Sequence, residues 1–509
     1  MPLLFVCSGD HCSNRTDLLV SPFLDFIWHK IRMFFHLKKS FQFSNYKFAG
    51  FAVLLFMLVL PQISSGAEKE RPAFNQSRYK EDFQFLKNPE KRTDFFDPLK
   101  YIPFNESESV YLTLGGETRQ HFEFISNNNW GQGVQDDNGY YLQRYLLHGD
   151  LHTGERLRFF VQFMSGVETG REGGPRGVDK DTFDLNQGFF DFDFWKNSGQ
   201  RLTLRAGRQE LIFGSRRFIN YRERPNMRLS HDAVMGIYNK GNWDVRAFGA
   251  RPVVLNPDGF DNESSASNSL WGLYGVRRNL PLTLNLDLYY LGWRNLNAVY
   301  DQGEAEEVRH TLGTRIWGKK NSLDYNFEFL YQFGEFGQGD IHAYALASDT
   351  GYTWSLGGLK KLRFSVRADV YSGDDDPNDS DLNSFNPFFP KGKHISQLAA
   401  SGLINQRDLH PRIDLTLDEN WSLTTSTLFI WRDSLDDGIY SIANGVLRSG
   451  STSRARYVGT QPELEVKYQF NPHLDLKGIF NYFLAGKFLE QTANGSDINY
   501  LGSMLTFRF

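Results

Sequence analysis

The sequence predicts an all-β protein: a single transmembrane antiparallel β-barrel of about eighteen strands. Three observations favour this fold. From Val110 onward apolar and polar residues alternate with a period of two, short connections alternate with long ones, and aromatic residues cluster at the ends of the alternating segments. After the N-terminal region no apolar run approaches the roughly 20 residues that a membrane helix needs. These features together exclude a helical membrane protein.

Residues 1–67 have the features of a secretory signal peptide. Three lysines precede the apolar run Phe48–Leu60, and small residues at positions 65 and 67 suit a signal peptidase. Because the charged part lies far into the chain, we expect Met33 to be the true start. An anchoring helix is the alternative, but an apolar run of this length is more typical of a signal peptide.

Composition excludes several classes of function. Both cysteines, Cys7 and Cys12, fall in the signal peptide, so disulfide frameworks and thiolate metal sites are excluded from the mature chain. Removing its six basic and three acidic residues from totals of 56 and 60 leaves a net charge of −7, which argues against nucleic acid as a partner. The histidines lack metal-binding spacing, so no metal or cofactor is expected.

The strand prediction depends on segments such as LDYNFEFLYQF (323–333), LTLNLDLYY (282–290) and LRFSVRADVY (362–371), each about ten residues long and long enough to cross a bilayer obliquely. Tight links such as TGE, NKGN and DEN alternate with longer ones, as expected for hairpins with short periplasmic turns and long extracellular loops. Strands are predicted to begin near residues 110, 139, 156, 184, 201, 232, 242, 269, 281, 308, 322, 341, 361, 409, 420, 456, 473 and 498.

Closure of the barrel would point the polar residues of each strand into the lumen, because backbone groups cannot stay unpaired in lipid. Arginine is frequent among them. The predicted pore-lining residues on strands are Arg119, Arg144, Arg205, Arg208 and Arg367, with the acids Glu117, Asp191 and Asp193.

The stretch RRFINYRERPNMR follows the fifth predicted strand and lies on the side of the long loops. It contributes Arg216, Arg217, Arg222, Arg224 and Arg228. We expect it at the pore mouth or folded into the pore, where guanidinium groups can hold carboxylates or phosphates and select anions. The alternative is that these arginines pair with acids and lipopolysaccharide phosphates and stiffen the rim.

Several stretches resemble the alginate export outer-membrane porins: RYKEDFQFLKNPEKRTDFFDPLKYIPF (78–104), YLTLGGETRQHFE, LNQGFFDF, LRAGRQELIFGSRRF, YVGTQPELEVKYQF and YFLAGKFLE. The resemblance implies an eighteen-stranded barrel in the cell outer membrane whose electropositive lumen moves an anionic uronic acid polymer outward. It also implies that Arg119, Arg144 and Arg208 contribute to a selective constriction, and that Asp191 and Asp193 help to gate it.

Three domains are expected: the signal peptide, a periplasmic N-terminal segment at 68–109, and the barrel at 110–509. The segment would plug the lumen or bind a periplasmic secretion scaffold. The expected partners are outer-membrane lipid, lipopolysaccharide, and an anionic polysaccharide or a small anionic solute. A general or small-carboxylate-selective uptake porin stays open as an alternative. So does a rim hydrolase, although no G-x-S-x-G stretch is present and an enzyme is not expected.

The stretch SGDDDPNDSD (372–381) contains five aspartates, whose oxygens could hold Ca²⁺. It lacks the EF-hand spacing and the terminal glutamate of such loops. A solvated acidic external loop is the favoured interpretation.

Overall fold

The computed structural model describes residues 71–136, 138–357 and 359–509. The predicted signal peptide and the predicted start at Met33 lie outside these residues. The described chain forms one compact unit.

Eighteen antiparallel strands form a closed barrel, as the sequence predicts. Each strand pairs with its neighbours in the chain, and β1 pairs with β18 from Glu117 opposite Arg508 to Ser126 opposite Asn499. The strands are β1 Val110–Ser126, β2 Tyr140–Thr153, β3 Leu157–Thr169, β4 Asp181–Asn197, β5 Gln200–Gln209, β6 His231–Lys240, β7 Trp243–Val254, β8 Asn268–Leu280, β9 Leu284–Tyr300, β10 Gly303–Lys320, β11 Leu323–Phe336, β12 Gly339–Leu356, β13 Leu359–Tyr371, β14 Gln406–Thr416, β15 Trp421–Arg432, β16 Tyr457–Gln469, β17 Leu474–Ala485 and β18 Ile498–Arg508.

Short turns lie at one end of the barrel and most long connections lie at the other. The long connections are 127–139, 170–180, 210–230, 255–267, 372–405, 433–456 and 486–497. Two connections at this end are shorter than expected, because β9, β10 and β12 extend to 17 or 18 residues. The tight turn 301–302 joins β9 to β10, and the tight turn 337–338 joins β11 to β12.

Short elements complete the fold. The two-residue strand Ile102–Pro103 pairs with β1, and the two-residue strand Glu263–Ser264 pairs with β7. Ile439–Tyr440 pairs with Val446–Arg448. The α-helical turns are Asp97–Lys100 and Lys487–Glu490, and the 3-10 turns are Arg78–Lys80, Gln84–Lys87, Pro89–Lys91, Asn128–Gly131, Pro281–Thr283, Gly392–His394 and Gly450–Thr452. In the part of the chain that the structure describes, no helix is long and apolar enough to cross a bilayer.

The alternation in the sequence sorts residues between the two faces of the wall. In β11, Phe327, Phe329 and Tyr331 are exposed on the outside, while Glu328, Leu330 and Gln332, which alternate with them, are buried on the inside. The outer face is therefore apolar and suited to lipid, and the inner face carries the polar groups.

The seam between β1 and β18 is completed by the N-terminal segment. The last residue, Phe509, pairs with Gly116, which leaves the start of β1 without a β18 neighbour. Lys100 donates a hydrogen bond to the Leu114 carbonyl at 2.8 Å, and Arg78 donates to the carbonyls of Gly116 at 2.9 Å and Phe509 at 2.7 Å. These hydrogen bonds occupy backbone carbonyls at an open sheet edge. An unoccupied edge can pair with the strand of another chain.

Two long connections, 210–230 and 372–405, pack against each other inside the barrel. Ile219 pairs with Phe389, and the rings of Phe218 and Phe385 lie 5.6 Å apart. Much of the apolar core therefore fills the lumen, which is narrower than the strand number alone allows.

Candidate functional site

The connection 210–230, here called the arginine loop, spans the lumen. Arg217 forms an ion pair of 2.8 Å with Glu328 on β11, while Arg228 approaches Glu117 on β1. These strands lie on opposite sides of an eighteen-stranded barrel. Of the two expected positions for the arginine loop, the structure places it inside the pore.

One group of charges lies where the arginine loop meets β1 and β2. Arg144 Nη2 is 2.7 Å from Glu117 Oε1 and also contacts Glu223. Arg228 Nη2 is 2.8 Å from Glu223 Oε2, and Arg119 donates to the Glu223 carbonyl at 2.7 Å. Burial raises the pKa of Glu223, but Arg144 and Arg228 outweigh burial and hold it at about 2. Arg228 also approaches Glu210 at 3.5 Å, so three arginines share three carboxylates in this group.

A second group lies toward the short turns. Arg205 binds Asp191 through two bonds of 2.7 and 2.8 Å, and Arg201 binds Asp193 at 2.8 Å. The pairs line a cavity of about 870 Å³ that also borders on the N-terminal segment. The lining of this cavity contains as many arginines and lysines as aspartates and glutamates, so the cavity is close to neutral.

Arg208 lies apart from Arg119 and Arg144, which corrects the expectation that it lines the lumen with them. It is three residues from Arg205, and an odd spacing in a strand places two side chains on opposite faces. Its guanidinium binds Asp232 at 2.9 and 3.1 Å and the Asn262 carbonyl at 3.2 Å.

A cavity of about 220 Å³, here called the basic pocket, opens between the two internal connections and the wall formed by β11 to β14. Its lining is strongly cationic, and Asp349 is the one carboxylate among the described residues that line it. The lining residues are Ser215, Arg217, Asn326, Asp349, Arg367, Lys391, Lys393, His394 and Arg412.

Not all cations of the basic pocket are neutralised. Arg367 binds Asp349 at 2.9 Å, and Lys393 binds Glu465 at 2.7 Å. Lys391 has neither an ion pair nor a side-chain hydrogen bond within the described residues. Burial, with the charge of Arg216 next in importance, lowers the pKa of Lys391 to about 8. Such a pocket stabilises a bound anion.

Three arginines of the arginine loop differ in their partners. Arg224 lies 3.4 Å from Glu123, so it is paired with an acid. Arg216 donates to the side-chain oxygen of Gln76 at 2.7 Å. Arg222 lies 5.8 Å from the centre of the Phe389 ring, and burial lowers its pKa to about 10. Within the described residues, neither Arg216 nor Arg222 has a carboxylate partner.

Sequence reasoning missed Lys391, Lys393, Arg412 and Glu223. Arg412 could have been found, because it shares the inner face of β14 with Asp408, His410 and Asp414. The two lysines lie in the irregular connection 372–405, where no periodicity marks an inner face.

The aspartate stretch 372–381 is partly buried. Asp374 accepts a hydrogen bond from the Asn383 backbone at 3.0 Å, whereas Asp376 and Asp379 are exposed. Among the described residues, no group of three or more acids, histidines or cysteines is arranged to hold a metal.

A closed barrel with an apolar outer face and a charged, loop-filled lumen defines an outer-membrane porin. The chain belongs to the alginate export family, whose model matches residues 110–503. This confirms the family resemblance and the location in the outer membrane. No curated protein matches the chain.

Solved porins share the fold at low identity. OpdK of Pseudomonas aeruginosa, solved with vanillate, is 10% identical with a TM-score of 0.54, and the match covers 78% of this chain and 98% of that one. A BenF-like porin from Pseudomonas fluorescens Pf-5 is 9% identical with a TM-score of 0.54 and the same coverage. OccK2 (OpdF) of Pseudomonas aeruginosa, solved with glucuronate, is 11% identical with a TM-score of 0.52, again over 78% and 98%.

Proposed function

We propose that this porin passes an anionic polysaccharide, an alginate-like polyuronate, through its arginine-lined lumen. The observation that carries the proposal is the basic pocket, in which Lys391 has no acid partner among the described residues and four further basic side chains share the lining with one carboxylate, Asp349. A polyuronate presents one carboxylate per sugar, so its charges can move from one cationic group to the next. The group around Arg119, Arg144 and Arg228 would provide the neighbouring binding positions.

Acids that pair with the lumen arginines keep the binding of an anion weak enough for the anion to pass through. Glu117, Glu223 and Asp349 each contact an arginine of the lumen. A channel has to bind its solute well enough to admit it and weakly enough to release it. The carboxylates lower the net positive charge and so keep anion binding reversible.

The cavity sizes favour a second candidate, an uptake porin for small carboxylates. The basic pocket has a volume of about 220 Å³, which suits one small molecule better than a polymer. OccK2, a porin of similar fold, was solved with glucuronate, which is itself a uronate. Polymer passage would require the arginine loop or the connection 372–405 to move.

Planar-bilayer recordings of the purified protein test the proposal. We expect anion preference, which should fall in Arg119→Gln and Arg144→Gln but not in the control Arg208→Gln, because Arg208 lies on the opposite face of its strand. Polyuronate chains should block the current at lower concentrations of sugar units than free glucuronate does. Equal potency would favour the small-carboxylate candidate, and cation preference would contradict both.

The porin fold and the family favour a channel. Direct contacts with lipopolysaccharide or a periplasmic secretion scaffold remain predictions from the sequence.

A further inference from the structure

Arg216 of the arginine loop contacts the N-terminal segment inside the barrel. Its Nη1 donates to Gln76 Oε1 at 2.7 Å, and Tyr221 donates to the same oxygen at 3.2 Å. Gln76 therefore accepts a hydrogen bond from a guanidinium group that has no carboxylate partner within the described residues. Among the described residues, Arg216 has a neutral amide oxygen as its side-chain partner, whereas most arginines of this barrel bind acids.

Arg216 is adjacent to the basic pocket. Its neighbours in the chain, Ser215 and Arg217, both line that pocket. The charge of Arg216 also acts on Lys391, whose pKa it helps to lower. An anion held by Lys391 would thus lie close to Arg216.

The backbone of Arg216 supports a functional position. Its φ is 66°, in the left-handed region that a residue with a side chain rarely adopts. Such conformations cluster at binding sites, where the surrounding structure holds them in place.

We propose that Arg216 is a carboxylate-binding residue of the lumen and that Gln76 is an internal ligand that occupies it until an anion takes its place. The inference rests on the proposed anion-conducting function. It assigns the N-terminal segment a part in the binding site, since the segment supplies the competing oxygen.

The exchange is favourable because of charge. A hydrogen bond between a guanidinium and a carboxylate is roughly twice as strong as one to a neutral acceptor, and a carboxylate can accept two parallel bonds. A uronate should therefore displace the Gln76 amide from Arg216.

The exchange also needs little movement. The Gln76 backbone carbonyl accepts a bond from Arg228 at 3.2 Å, and Arg78 is fixed to the seam through Gly116 and Phe509. Only the Gln76 side chain has to rotate away, while the rest of the segment stays bound.

The test measures the dissociation constant of glucuronate as a blocker of single-channel current, together with the anion preference, in the purified mature protein. Gln76→Ala removes the competitor and should tighten binding about fivefold. Gln76→Glu supplies an internal carboxylate and should weaken binding about tenfold and reduce the anion preference. Gln84→Ala is the matched control, because Gln84 lies in the same segment but binds Tyr111 at 2.9 Å. Heat-modifiable migration on gels would show that every variant is folded.

The Arg216→Gln background isolates the proposed contact. There, substitutions of Gln76 should no longer change glucuronate binding or anion preference. The inference is wrong if Gln76→Glu behaves as the wild type, or if the effects of Gln76 persist without Arg216. A wild-type channel without anion preference or without glucuronate block counts against the proposed function as well. An anion-selective, glucuronate-sensitive channel that is indifferent to Gln76 counts against this inference alone.

Discussion

Glu117 and Arg144 form a buried ion pair inside the barrel, with 2.7 Å between Oε1 and Nη2. The second oxygen of Glu117 lies 3.0 Å from Arg508 Nε. Arg144 is on β2 and Arg508 is on β18, so one carboxylate on β1 connects three adjacent strands. This connection crosses the seam where the first and last strands close the barrel.

Neutralising Glu117 should destabilise the barrel and raise its anion preference. Removal of one partner of a buried ion pair typically costs about 3–5 kcal/mol, because the other charge loses its compensation. We expect Glu117→Gln to lower the free energy of unfolding, measured by denaturant titration in lipid vesicles, and to shift the reversal potential toward anions. Glu155→Gln is the control for stability, since Glu155 is exposed in a short turn. Unchanged stability would contradict the structural importance of the pair.

Loss of the lysines in the basic pocket should have the opposite effect on selectivity. Lys391→Met and Lys393→Met each remove a cation from the pocket, so anion preference should fall and glucuronate binding should weaken about fivefold to tenfold. Lys391 should matter more, because Lys393 already binds Glu465 at 2.7 Å. Lys320→Met, at an exposed strand end, serves as the control. If the control lowers anion preference equally, the pocket is not the selective position.

The anion preference should depend on pH through the same lysines. Burial lowers the pKa of Lys391 and of Lys393 to about 8 each. Both side chains are charged below this value and lose their protons as the pH rises through it. We therefore expect reversal potentials recorded between about pH 6 and about pH 10 to show anion preference falling near pH 8.

The double variant Lys391→Arg and Lys393→Arg provides the control, because arginine stays protonated throughout that range. It should keep its anion preference at high pH. A wild-type profile that is flat across pH 8, or a double variant that falls with it, would contradict the assignment.

The barrel could be predicted from the sequence because its determinant is local. Phe327, Phe329 and Tyr331 alternate with Glu328 and Gln332, and contact with lipid on one side and lumen on the other requires only that alternation. The same reasoning placed Arg119 and Arg144 correctly on the inner face. It does not hold for Arg208, which lies on the other face of its strand because it is an odd number of residues from Arg205.

The interior of the lumen could not be predicted in the same way. Lys391 reaches the basic pocket because the connection 372–405 folds back into the barrel and packs against Phe218 and Ile219. That packing depends on contacts between residues far apart in the chain, which periodicity does not reveal. The contact between Arg216 and Gln76 could not be predicted either, because Gln76 lies before the first strand.

Asp437 links two of the long connections, 372–405 and 433–456. Asp437 accepts four hydrogen bonds: from the backbone of Asp374 at 3.0 Å, Ser384 Oγ at 2.6 Å, the backbone of Gly438 at 2.7 Å and Tyr440 Oη at 2.5 Å. The amide in Asp437→Asn has one accepting oxygen instead of two, so at least one donor on the 372–405 connection or within 433–456 is left unpaired. At about 1.5–3 kcal/mol for a bond to a charged group, both loops should exchange amide hydrogens faster by tenfold or more.

Hydrogen exchange measured by mass spectrometry would show whether the change is confined to these loops. The strands β14 and β15 beside them should keep their protection, because their ladder hydrogen bonds do not involve Asp437. Asp379→Asn is the matched control, as Asp379 is exposed in the same aspartate stretch. Since the 372–405 connection carries Lys391 into the lumen, loosening it should also make the single-channel current noisier. Equal exchange in Asp437→Asn and in the control would mean that this carboxylate does not hold the loops together.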